Sequence, residues 1–197
     1  MDFYFDFVSP YGWIGAERIG PIATRHGRRI RWCPFLLKAT VVDAMGAAPL
    51  LDTPLKGPYV LRDFERSLRY HDLPLANGVR LVFSPVPASR IVLWARETTP
   101  DRTGALVLAL YRAHWSRGLD ISSTQNVLSV VDDLGLDPDR ARDALATSEL
   151  KAAPRAETQR AIDAGVFGSP TTVIDGEPFW GSDRLTMVED WLRRGGW

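Results

Sequence analysis

The apolar positions of the first segment, DFYFDFV over residues 2–8, are mostly aromatic and predict a strand beginning almost at residue one. Ser9-Pro10 then opens a helix, because serine is a favoured N-cap and proline is favoured at the first helical position. The helix is expected from about Pro10 to Arg25, ending near His26-Gly27, with a distortion at Pro21 where proline removes an interior hydrogen bond. Residues 29–36 (RIRWCPFL) read as a second strand, so the opening is a strand–helix–strand unit.

The middle of the chain follows a different rhythm. VVDAMGAAPLLDTPLKG is a loop or weak helix rich in small residues and proline. From Gly57 to about Glu149 the spacings are helical: Leu61, Phe64 and Leu68 recur every three or four residues, as do Leu106, Val107, Leu110 and Tyr111. Asp137-Pro138 starts a short helix, the aspartate capping and the proline taking the first turn. A further helix is expected from about Ala153 to Ala164. The pattern then returns to β: VFGSPTTVIDGEPFWG holds an apolar β-branched run, an Asp175-Gly176 hairpin turn and a last strand. Ser182-Asp183 is expected to cap a final amphipathic helix burying Leu185, Val188, Trp191 and Leu192. The order βαβ–helices–αββα is that of an α/β thioredoxin-like fold with an inserted all-helical domain. The expected partition is 1–45 and 165–197 for the thioredoxin-like part and 46–164 for the insertion.

Composition narrows the function. The 197 residues suit one domain, or one with a sizeable insertion, and 45% hydrophobic with 24% charged residues is ordinary for a globular protein. Lys+Arg and Asp+Glu both number 24, so no excess positive charge argues for nucleic acid or a membrane surface. Small molecules or another subunit are the expected partners. The one cysteine supplies neither an internal disulfide nor a CxxC pair, and the three histidines, His26, His71 and His114, show no metal-ligand spacing. The N-terminus carries acidic residues where a signal peptide would carry basic ones, and no run approaches the ~20 apolar residues of a membrane span. A cytoplasmic location is expected.

Three segments could carry chemistry. Ser9, at a strand-to-helix junction, sits where free N–H groups and the positive end of the helix dipole favour an anion, although capping alone accounts for a serine there. Ser169-Pro170 precedes a strand. Either it is an ordinary trans proline at a strand edge, or a cis bond leaves the Ser169 backbone free to grip an extended ligand. Trp180-Gly181-Ser182-Asp183 ends a strand and begins a helix, which suits an α-amino-acid head group or simple capping. Lys56 in a loop is uninformative by itself, and Arg31, Arg80 and Arg90 are possible carboxylate partners. Cys33 reads as a small buried hydrophobe, His71 and His114 as structural. Asp6, inside the first strand, is a candidate for a perturbed pKa. Of the seven tryptophans, Trp13 and Trp180 are kept as ligand candidates.

DFYFDFVSPYGW, LKGPYVLRDFERSLR and GVFGSPTTVIDGEPFWGSDRL together resemble the 2-hydroxychromene-2-carboxylate isomerase family, kin to kappa-class glutathione transferases and more distantly to DsbA-type proteins. The resemblance runs from the second residue to the last helix, and FGSP followed by DGE-x-FWGSDRL is its most specific part. It implies a usually dimeric thioredoxin-like protein with a helical insertion that binds glutathione. The family's catalytic serine, at the glutathione sulfur, matches Ser9. The residue before the cis-proline, which pairs with the cysteinyl backbone, matches Ser169, and the proline matches Pro170. The γ-glutamyl site matches Trp180, Gly181, Ser182 and Asp183, and the kappa-class loop lysine matches Lys56. The asparagine that relatives carry ahead of that lysine is missing from AMGAAPLLDTP, so the glutathione site carries over better than the substrate site.

The implied activity is glutathione-dependent cis–trans isomerisation of 2-hydroxychromene-2-carboxylate or a similar aryl-pyruvate in aromatic-compound degradation. The alternatives are a kappa-like glutathione transferase or peroxidase, and a catalytically silent thioredoxin-like binding module. Thiol–disulfide exchange is set aside, because VSPYGW lacks both cysteines of a CxxC pair.

Overall fold

A computed structural model describes residues 1–197. Four short strands form one mixed sheet in the order β2-β1-β3-β4: β1 (Asp2–Phe5), β2 (Arg31–Pro34), β3 (Thr171–Ile174) and β4 (Glu177–Trp180). β1 pairs in parallel with β2, Phe3 opposite Trp32, and antiparallel with β3, Phe3 opposite Thr172. Its two neighbours therefore come from opposite ends of the chain.

Helix α1 (Pro10–Arg25) has the expected limits and continues through Pro21. Its N-cap is Ser9, whose Oγ accepts the Gly12 N–H at 3.0 Å. The hairpin also forms as expected: Asp175 and Gly176 have φ of 52° and 91°, the left-handed values that a tight turn between twisted strands demands.

The central block is α2 (Lys56–Tyr70), α3 (Val86–Thr98), α4 (Thr103–Tyr111), α5 (Thr124–Asp133), α6 (Pro138–Ala146) and α7 (Ser148–Asp163). Asp137 caps α6 through the N–H groups of Asp139 and Arg140, as its sequence predicts. Residues 71–85 depart from the helical expectation, for Pro74, Gly78 and Pro85 interrupt any helix there. Helix α7 begins five residues earlier than expected, at Ser148 rather than Ala153, because Thr147 caps it through the Leu150 N–H. The small-residue segment after β2 contains a π-helical turn over Lys38–Ala44 and a 3₁₀ turn over Leu50–Asp52, and a second π-helical turn, Arg112–Ser116, extends α4. Helix α8 (Leu185–Arg194) buries Leu185 and Val188, with Trp191 and Leu192 half-buried.

β1 alternates its side chains between two cores, as a strand must. Phe3 and Phe5 join a large apolar cluster with Trp13, Ile14 and Ile19 of α1 and with α3, α4 and α5. Tyr4 faces the other way, against Cys33, Phe35, Ala161 and Val166 beneath α7. No helix is long and apolar enough to cross a membrane.

Candidate active site

The site forms where β1 hands over to α1. Pro10 has no N–H, and Ser9 receives the Gly12 N–H on Oγ and the Trp13 N–H on its carbonyl. That leaves the Tyr11 N–H as the free donor at the positive end of a 16-residue helix. Ser9 is buried, and its hydroxyl donates to the Ser169 carbonyl at 3.0 Å, across 160 residues of sequence.

The Ser169–Pro170 bond is cis. The Ser169 side chain accepts the Asp6 N–H at 2.9 Å, while the Ser169 N–H, on a buried residue, donates to nothing in the protein. A cis bond is expected to leave both backbone groups of Ser169 unpaired by the sheet, and neither joins the ladder; the carbonyl is taken instead by the Ser9 hydroxyl, which leaves the N–H free. Beyond the loop, the Pro170 carbonyl accepts the Gly181 N–H at 2.9 Å, which joins the cis-proline to the end of β4.

Helix α1 approaches this loop closely because it carries glycine. A Cβ on Gly12 would lie 2.6 Å from Tyr111 Oη and 2.8 Å from Ser169 Oγ. Those contacts are shorter than any real side chain tolerates.

Trp180 is 55% exposed and meets Phe167 edge-on at 4.8 Å, so the two rings form an open aromatic wall beside the cis-proline loop. Ser182 is buried, and its carbonyl accepts Arg18 Nη1 at 3.1 Å. The expected cap of α8 by Ser182-Asp183 is not formed. These residues instead make a separate 3₁₀ turn closed by the Arg184 N–H on the Gly181 carbonyl, and the Asp183 carboxylate pairs with Arg184 at 2.6 Å.

Lys56 is the first residue of α2 and is exposed; no hydrogen bond or ion pair joins it to Ser9, Ser169 or the 180–183 turn. Its helix is fastened to the site indirectly, by Tyr11 Oη donating to Asp63 at 2.6 Å. Arg31, Arg80 and Arg90 lie elsewhere, committed to Asp2 and Glu157, to Asp120 and to the Lys151 carbonyl. Trp13 is fully buried, with its indole N–H on Glu17. Burial pushes the Cys33 thiol far above its ordinary range, which leaves it a neutral core residue. His114 is buried with both ring nitrogens facing carbonyls, of Leu119 and Arg80.

Asp6 is only 2% exposed, and no charged side chain shifts it. Desolvation raises its carboxyl to about 6, against the opposing effect of N–H groups from Leu37, Val8 and Phe7. The helical block supplies two groups that residue patterns did not reveal as part of the site. Tyr111 Oη donates to the Asp6 carbonyl at 2.9 Å, and Trp115 Nε1 to the Phe7 carbonyl at 3.0 Å. Tyr111 lies on a helical spacing that marks it as a core residue, Trp115 reads as one more core tryptophan, and neither pattern announces a hydrogen bond to a loop more than 100 residues away.

The model of the DSBA-like thioredoxin domain matches residues 1–193. The chain is 28% identical to 2-hydroxychromene-2-carboxylate isomerase of Sphingobium xenophagum, over 98% of this chain and 97% of that protein. It is 27% identical to glutathione S-transferase kappa 1 of Rattus norvegicus, over 98% and 92%. Among solved structures, a 2-hydroxychromene-2-carboxylate isomerase superposes with a TM-score of 0.86 at 25% identity, covering 98% of this chain and 94% of that one. With one family model spanning residues 1–193, nearly the whole of its length, the chain belongs to the DSBA-like thioredoxin domain family.

Proposed function

We propose that this protein is a glutathione-dependent cis–trans isomerase of the 2-hydroxychromene-2-carboxylate isomerase kind, acting on an aryl-substituted pyruvate or its cyclic hemiketal. The observation that carries the reading is the meeting of the Ser9 hydroxyl, at the N-terminus of α1, with a cis-proline loop whose Ser169 N–H is unpaired. A buried, unpaired N–H beside a helix N-terminus fits an extended peptide whose side chain carries an anion to the helix, and glutathione in its thiolate form has that shape. Full-length similarity to proteins named as this isomerase supports the same reading.

Bound glutathione would supply a thiolate for reversible conjugate addition, the electron pair of the double bond resting on the pyruvate carbonyl oxygen until expulsion restores it, which is the chemistry that lets the two isomers exchange. The chain's own groups provide the setting. Ser169, held by the cis bond to Pro170, pairs its N–H with the cysteinyl backbone, and Trp180, Gly181, Ser182 and Asp183 receive the γ-glutamyl end. Lys56, at the start of α2, is the cationic group for a carboxylate at the outer end of the site. Ser9 holds a hydrogen that rotates from the Ser169 carbonyl onto sulfur, and with the α1 dipole it lowers the thiol pKa. The Phe167–Trp180 wall offers a flat apolar surface to an aromatic substrate. A cytoplasmic homodimer belongs to this reading, and light scattering of the purified protein checks the dimer.

Calorimetric titration with reduced glutathione, beside the Asp183→Ala variant, tests the site. Saturable binding weakened by the substitution is expected; no binding at millimolar glutathione would defeat the reading. Similarity to kappa-class transferases favours glutathione transfer as the second reading. Product mass separates the two: an acceptor that gains the mass of glutathione means transfer, and an unchanged mass means isomerisation.

A further inference from the structure

All four polar groups of Asp6 are engaged, and they reach four different parts of the molecule. Carboxylate Oδ1 accepts the Val8 N–H at 3.1 Å, inside the turn that presents Ser9. Oδ2 accepts the Leu37 N–H at 2.8 Å, at the start of the segment that leads through the π-helical turn toward α2 and Lys56. The backbone N–H goes to Ser169 Oγ, and the backbone carbonyl receives Tyr111 Oη from α4. One buried residue therefore touches the Ser9 turn, the cis-proline loop, the segment after β2 and the helical block.

We propose that Asp6 is a positioning residue of the glutathione site, its carboxylate clamping the Ser9 turn to the 37–44 segment so that Ser9, Ser169 and the approach to Lys56 keep one geometry. The proposal rests on the glutathione reading above for the ligand, but the clamp itself does not. An ionised carboxylate accepts strongly at both oxygens, whereas protonation turns one oxygen into an O–H that needs an acceptor of its own and is a much poorer acceptor for an N–H. Protonation therefore weakens the hold on Val8 and Leu37 together, because the carboxyl loses its charge and one of its two strong acceptors. The groups that face Asp6 are the Leu37 N–H from the segment after β2, the Ser169 hydroxyl from the cis-proline loop and the Tyr111 phenol from α4. Tyr111 is the titratable one, and burial holds its pKa well above the usual tyrosine range, so it stays neutral where Asp6 titrates.

The experiment pairs two readouts on the full chain. The first follows the backbone amide resonances of Val8 and Leu37 in the ligand-free protein from pH 4.5 to 8. Both are expected to titrate together with a midpoint of about 6. The second measures affinity for S-methylglutathione, which has no ionisable thiol, across the same range in wild type and Asp6→Asn. Wild-type affinity is expected to fall with that midpoint. Asp6→Asn, whose amide meets one of the two N–H groups with a donor, is expected to be pH-independent and about tenfold weaker at pH 8.

Val8 and Leu37 amides that fail to titrate, or an Asn variant that binds like wild type, would overturn the clamp. A simple loss of fold in the variant leaves the wild-type titrations to decide. Joint titration of the amides with no affinity for S-methylglutathione would sustain the clamp and defeat the glutathione reading instead.

Discussion

Two carboxylates are taken out of water in this molecule, and they are treated in opposite ways. Glu157 on α7 is 0% exposed and sits among arginines: Arg96 grips both its oxygens at 2.8 and 3.1 Å, Arg160 pairs with it from the next turn, and Arg31 lies 3.6 Å away. Burial alone would raise its pKa, but the hydrogen bonds and charges of Arg96 and Arg160 bring it down to about 2. Asp6, equally dry, has no cation at all and rises to about 6. Glu157 has the surroundings of a group that holds structure together. Asp6 has those of a group placed for its hydrogen bonds, at the expense of stability, and it lies against the turn that carries Ser9 and the cis-proline loop.

The comparison breaks most readily at Glu157. Glu157→Ala leaves three arginines facing an apolar gap, and breaking a buried ion pair from one side costs ~3–5 kcal/mol. Denaturant unfolding should show a loss of that order, with Asp6→Asn losing much less. Equal losses would mean that the two carboxylates are not different in kind.

The pH dependence of stability sharpens the contrast, because the signs are opposite. Asp6 binds its proton more tightly folded than unfolded, so between pH 3.8 and about 6 folding is linked to proton uptake. Its contribution is fully present below 3.8 and is lost as pH rises to about 6, an effect of about 3 kcal/mol. Glu157 contributes above 4.5 and loses that contribution as pH falls toward about 2. Unfolding curves should show Asp6→Asn abolishing the first trend and Glu157→Gln the second.

Next in size is Ser9→Ala. Turnover of an aryl-pyruvate isomer is expected to fall about a hundredfold if the hydroxyl stabilises the thiolate. Stability should fall by only ~1 kcal/mol for the lost N-cap. Unchanged turnover would remove Ser9 from the chemistry. The smallest effect belongs to Arg31→Ala. Its side chain is 44% exposed and pairs with Glu157 at 3.6 Å, so a loss below about 1 kcal/mol is expected in the same unfolding assay.

Much of the fold was legible because local chemistry and final structure agree. Ser9-Pro10 marks the first residue of α1, Asp137-Pro138 starts α6, and Asp175-Gly176 makes the hairpin, each a signal contained in two residues. The misreadings fall where tertiary contacts decide. Periodicity carries no information on the irregular 71–85 stretch, and Ser182-Asp183 has the residues of a cap yet turns into a 3₁₀ segment. Within the candidate site, single positions such as the Ser9 cap were legible and the network that joins them was not. That Ser9 meets Ser169 was implied by the resemblance and by no spacing. The bonds from Tyr111 and Trp115 to the 6–7 carbonyls left no trace, because a core aromatic with a hydrogen bond looks like a core aromatic without one.

The position of β1 in the sheet has a consequence for biosynthesis. Its parallel neighbour β2 is made within about thirty residues, but its antiparallel neighbour β3 begins at Thr171. A growing chain therefore carries one bare strand edge through most of translation, together with a Ser9 whose carbonyl partner has not yet been synthesised. Prematurely terminated products that end before Ser169 should be sticky and unable to assemble the site, whatever helices they have already formed.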